Sequence, residues 1–112
     1  MGLPSSRQSY ADCYDLFDRA SSRQKGIRIN VSDHGEAMRL RTRLHYARKL
    51  DRLSNKELYR ETPDHYMYNA SVYDKFIIRI KTDTEGGFWV YIESVEATAM
   101  TVESLDDDDI QT

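Results

Sequence analysis

Arg41, His45, Arg48 and Arg52 stand at i, i+4, i+7 and i+11, a spacing that brings them to one side of a helix. Lys49 borders that row. Cations about one helical turn apart suit a row of phosphates or an acidic protein surface. From Glu36 to Arg52 six Lys/Arg face two acids, a local charge of +4 in a chain whose total is -3. A second group alternates. Arg79 and Lys81 occupy one side of an apolar run, Trp89 and Tyr91 one side of the next, and Arg28 and Asn30 one side of an earlier one. Aromatics interleaved with cations on an open sheet hold single-stranded nucleic acid by stacking plus charge. The candidate binding residues are therefore Arg41, His45, Arg48, Lys49, Arg52, Arg79, Lys81, Trp89 and Tyr91.

Catalytic chemistry finds no comparable footing. His34, His45 and His65 have no metal-ligand spacing with one another or with Cys13. Asp33-His34 and Asp64-His65 are adjacent pairs, whose side chains diverge. Gly86-Gly87 reads as a turn, not as a phosphate-binding loop. Cys13 falls on an apolar helix face, as a small core residue does. The expectation is a non-enzymatic protein with no catalytic residue, no metal and no cofactor.

The elements that must position these groups are legible in part. Ala37, Leu40, Leu44 and Ala47 fall within about 80° of one another on a helix, and Tyr46, Leu50 and Leu53 widen that arc. Ser32 or Asp33 can cap this long helix, with Glu36 in its first turn. Arg39 and Arg43 flank the apolar face, where their stems can lie along it. Ser54-Asn55-Lys56-Glu57 has the form of a capping box, which predicts a separate short helix to Tyr59 or Arg60. Upstream, Tyr10, Cys13, Tyr14, Phe17 and Ala20 recur at helical spacing. Ile27, Ile29 and Val31 alternate as a half-buried strand.

The strongest strand signal is a hairpin. Phe76, Ile78 and Ile80 face one way, and Phe88, Val90 and Ile92 face the same way from the returning strand. Pairing like faces sets Thr82 opposite Phe88 across the loop 83–87. Lys81 then lies opposite Trp89, Arg79 opposite Tyr91, and Ile77 opposite Glu93. The first two are expected cation–aromatic pairs. The stretch 62–74 shows no period. Its Tyr66, Tyr68 and Tyr73 either plug the edge of the core or present a functional loop.

The expected class is α+β: a small, mainly antiparallel sheet, one strand plus a C-terminal hairpin, packed on a long basic amphipathic helix, with an N-terminal helix. Leu40, Leu44, Ile29, Ile78, Val90 and Ile92 should share its core. Tyr10, Tyr14 and Phe17 also need a surface, and covering Trp89 and Tyr91 would give them one. Residues 1–8 read as a disordered leader, 9–97 as a single domain and 98–112 as an acidic, disordered tail.

With 112 residues one core needs no staples. One cysteine excludes an internal disulfide and fits a reducing, cytoplasmic setting. No apolar run approaches the ~18–20 residues of a membrane span, so no membrane partner is expected.

The tail supplies the last signal. Removing residues 103–112 would take the net charge from -3 to +2. Its LDDDDI run resembles, over six residues, the acidic tips of bacterial and phage single-stranded-DNA-binding proteins. Those tips end in an aromatic, whereas this run continues to Gln111-Thr112. The order of elements is also not that of their five-stranded barrel, so the likeness is to a shared physical device.

Two functions fit. One is a small nucleic-acid-binding accessory protein, for DNA or RNA, whose acidic tail modulates binding. The other is a protein-interaction module, an inhibitor or adaptor, that docks a partner's acidic surface through the basic helix and the tyrosine-rich loop.

Overall fold

A computed structural model describes residues 9–94. The expected leader, and the tail with the last residues assigned to the domain, lie outside the described residues. The order is α1 (Ala11–Ser21), β1 (Ile27–Val31), α2 (His34–Leu58), a 3-10 turn (Val72–Lys75), β2 (Phe76–Thr82) and β3 (Phe88–Ser94). The protein is α+β, as expected. Among the described residues no helix is long and apolar enough to cross a membrane.

The sheet runs β1-β3-β2 and is antiparallel throughout. Alternation sets the hairpin register as expected: Thr82 opposite Phe88, Lys81 opposite Trp89, Arg79 opposite Tyr91 and Ile77 opposite Glu93. β1 pairs on the other side of β3, with Ile29 opposite Val90 and Arg28 opposite Tyr91. β3 is thus the central strand. Gly26 permits the close approach at the start of β1. It has φ +95°, and a Cβ there would meet Ile92 O at 2.0 Å.

Asp33 caps α2, accepting from Glu36 N at 2.8 Å, while Glu36 Oε1 accepts from Ser32 N at 2.6 Å. Each backbone donor thus finds a side-chain carboxylate, and the chain is pinned as it leaves β1. The separate second helix does not form. α2 continues through Ser54 for 25 residues to Leu58. Nothing between Glu36 and Leu58 is glycine or proline, so no residue forces the backbone out of helix. Asn55, expected inside a capping box, instead donates to Ala70 O at 2.7 Å and ties down the following loop.

Both helices lie on the same face of the sheet. Phe17, Cys13, Ala37, Leu44, Ala47, Phe76, Ile78, Val90 and Ile92 form the core, with Leu40, Ile27 and Ile29 only partly buried against it. Tyr14 donates to Ala47 O at 2.7 Å, and Arg43 pairs with Asp12 at 2.6 Å, which joins α1 to α2. Tyr73 stacks on Phe17 at 4.7 Å and plugs the core edge. Tyr46 and Leu53, expected on the apolar arc, are exposed instead. The arc is narrower than the sequence suggests because α2 rests on one small sheet and one short helix.

Candidate nucleic-acid interface

The helical row is broken at its centre, while His45 and Lys49 are exposed and Arg41 and Arg52 are half-buried. Arg48 is buried, donating to Tyr73 O at 3.1 Å and to Phe76 O at 2.7 Å. These carbonyls sit where the 3-10 turn enters β2, and Arg48 satisfies them. The spacing carried this signal, since Arg48 is four residues from Leu44 and on its face. Burial lowers the Arg48 pKa, with Arg52 adding to the effect and Asp74 opposing it. Arg52 binds Asp74 at 2.6 Å. Burial pushes the Asp74 carboxyl up, but bonds from Arg52 and Ser71 N outweigh it and leave it below its ordinary value.

His45 faces Arg48, with Nδ1 at 3.1 Å from Nη2. A guanidinium only donates, so this contact is a hydrogen bond when Nδ1 carries no proton. Burial, then the charges of Arg48, Arg41 and Arg52, lower the His45 pKa. Arg41 and Lys49 are the members of the row that no carboxylate pairs among the described residues. Of the five helical candidates, Arg48 and Arg52 are therefore committed to structure.

The sheet face keeps its group together. Because α1 shares the inner face with α2, no helix among the described residues covers the side chains that alternate outward from the three strands. Trp89 and Tyr91 are half-buried on β3, flanked by exposed Arg28, Arg79 and Lys81. The contacts run diagonally rather than straight across. Arg28 Cζ lies 3.9 Å from the Trp89 ring centroid, and Lys81 Nζ lies 4.4 Å from that of Tyr91. The expected Lys81–Trp89 and Arg79–Tyr91 neighbours are in register, but the cations reach past them. Arg28 also donates to Tyr91 Oη at 3.4 Å. Glu93 draws Arg79 and Lys81 toward it, at 3.2 and 3.5 Å.

One residue was absent from the sequence-based site. Asp83, in the hairpin turn, accepts from Trp89 Nε1 at 2.9 Å. It also accepts from Glu85 N at 2.9 Å and Gly87 N at 2.7 Å. The bonds from Trp89 and then Gly87 hold its carboxyl below the ordinary range against the opposing effect of burial, with the Glu85 bond and the charge of Arg28 adding to them. An aspartate opening a glycine-containing turn signals the backbone bonds. Nothing local signals the bond to an indole six residues on.

A second aromatic feature lies at the end of α2. Tyr59, His65 and Tyr66 stack in a column, with centroids 3.9 and 4.8 Å apart. Tyr66 forms its open end and is 83 % exposed. His65 Nδ1 accepts from Met67 N at 3.0 Å, which holds the column in place.

No family model, curated protein or solved structure matches the chain.

Proposed function

We propose that this is a small non-enzymatic nucleic-acid-binding protein and that its contact surface is the outer face of the sheet. The observation that carries the reading is the pair Trp89 and Tyr91, half-buried on the outward side of the central strand with a cation over each ring. Stacking of a base on an aromatic contributes ~1–3 kcal/mol. An exposed cation–π contact contributes ~0.5–1 kcal/mol. A base therefore displaces Arg28 or Lys81 from its ring, and the freed cation is left beside the phosphate chain. Arg41 and Lys49, on the helical layer, are outside this surface and add only long-range attraction. The reading implies a cytoplasmic protein.

The test is titration of labelled single-stranded oligonucleotides at several salt concentrations. Wild-type affinity should fall with a log–log slope of about 2, as three cations meeting phosphates at ~0.7 each would give. Trp89→Ala should weaken binding by about 5- to 150-fold, the equivalent of one lost stack. No binding at low salt, or equal binding by Trp89→Ala, would exclude the sheet face.

The Tyr59/His65/Tyr66 column favours a second reading, docking of a partner protein. A rigid, exposed aromatic is the usual anchor of such an interface. Tyr66→Ala would then abolish partner binding and leave oligonucleotide binding intact.

A further inference from the structure

We propose that the outer sheet face takes a pair of adjacent unpaired bases, one on Trp89 and one on Tyr91, and that Asp83 is the positioning residue that holds the Trp89 ring ready for its base. The inference rests on the nucleic-acid reading above and specifies its ligand.

Spacing sets the ligand class. Residues i and i+2 of a strand point to the same face about 6.6–6.8 Å apart. Successive bases of a duplex lie about 3.4 Å apart, stacked on one another and paired at their edges. Neither their separation nor their buried faces suits two rings spaced along β3. Bases that have left the stack can spread to that spacing and offer a face to each ring. Arg28 and Lys81 come from the strands on either side of β3, so the cations displaced by the two bases flank the path of the backbone.

Asp83 is the unexpected member. An acid at the rim of an anion-binding face opposes the ligand by charge alone, yet the turn is built to keep it there. Its Oδ1 takes the Glu85 and Gly87 amides and its Oδ2 takes the indole N–H. Gly86 has φ +85°, and a Cβ on Gly87 would lie 2.7 Å from Asp83 Oδ2. Both glycines thus let the turn close around the carboxylate. The result is a tryptophan fixed at its edge by the turn, with its face turned to Arg28. Fixing the ring before the base arrives reduces the freedom lost on binding.

Charge and positioning predict opposite signs for Asp83→Asn. The amide can still accept from the turn, but presents N–H to the indole N–H and removes the adverse charge. If Asp83 positions Trp89, thymidine oligonucleotides should bind about 3- to 10-fold more weakly, and Trp89 fluorescence anisotropy should fall. Trp89 is the only tryptophan in the chain, so its emission reports this ring alone. In the wild type, a thymidine dinucleotide should quench it and bind more tightly than the mononucleotide, and Tyr91→Leu should remove that gain. A duplex of matched length should leave the emission unchanged. Unchanged or tighter binding by Asp83→Asn overturns the role of Asp83. Equal quenching by duplex and single strand overturns the two-base site while leaving nucleic-acid binding in place. Failure of every oligonucleotide to bind the wild type at low salt overturns both.

Discussion

Arg48 shows how a charged side chain can serve the fold from the middle of a basic row. Its guanidinium occupies the junction of the 3-10 turn and β2, where two carbonyls have it as a partner. Arg48→Ala should remove both of these bonds, with Tyr73 O keeping its bond from Phe76 N, and destabilise the protein by about 2–3 kcal/mol. Urea unfolding measures that loss, and oligonucleotide affinity below the unfolding transition should not change with it. Nη1 alone reaches both carbonyls while Nη2 faces His45, so Arg48→Lys, with a single nitrogen, should lose the His45 contact and recover only part of the stability. His45 gives the same junction a pH dependence. Its folded-state pKa is below its unfolded value of 6.5. Below that value the unfolded chain binds a proton that the folded one resists, so this contribution is present at higher pH and is lost as pH falls. The Asp74 pKa is also depressed, but from 3.8, so its loss comes at lower pH. Urea midpoints should therefore drop between about pH 7.5 and about 5.5, and His45→Gln should flatten that segment of the profile.

At the scale of elements, α2 decides most of the architecture. Its 25 residues span about 37 Å at 1.5 Å each. The strands of five to seven residues reach at most about 24 Å. The helix therefore runs past the sheet, and the 59–74 stretch is gathered against its last turns by Asn55 and by Asp51, which accepts from Ser71 Oγ at 2.6 Å. Continuity at Ser54 is what places those two side chains on one surface. A helix-interior serine yields a few tenths of a kcal/mol to alanine, whereas a capping serine is worth ~1 kcal/mol. Ser54→Ala should accordingly stabilise the protein slightly in thermal unfolding. A loss near ~1 kcal/mol would instead indicate a break in the helix there.

For the whole molecule, the layering matters more than any one contact. Stacking both helices on one face leaves the other without a helix among the described residues, and that face carries Arg28, Arg79 and Lys81 against Glu93. The chain as a whole is anionic, owing to the acids of residues 103–112. Charge acts over a Debye length, ~10 Å at 0.1 M salt. Deleting those residues should raise affinity for single-stranded oligonucleotides, with the gain largest at low salt and fading as salt rises. An affinity that falls, or a gain that ignores salt, would mean that the segment acts by contact rather than by charge.

The α+β class, the inner face of α1, the Ala37/Leu44/Ala47 line of α2 and the hairpin register were legible in the sequence. Each follows from a period of two or of 3.6, and an inverted period would bury charge, so local spacing suffices. The outward set Arg28, Arg79, Lys81, Trp89 and Tyr91 was legible for the same reason. Only the tertiary structure decided which cations are free to bind. Arg52 meets Asp74 across 22 residues of chain, and no local pattern encodes that meeting. Only the tertiary structure put β1 beside β3 and α1 beside α2, since either face of the sheet could have received Tyr14 and Phe17. Periodicity tells a side chain which way to point; what stands there depends on how distant segments cross.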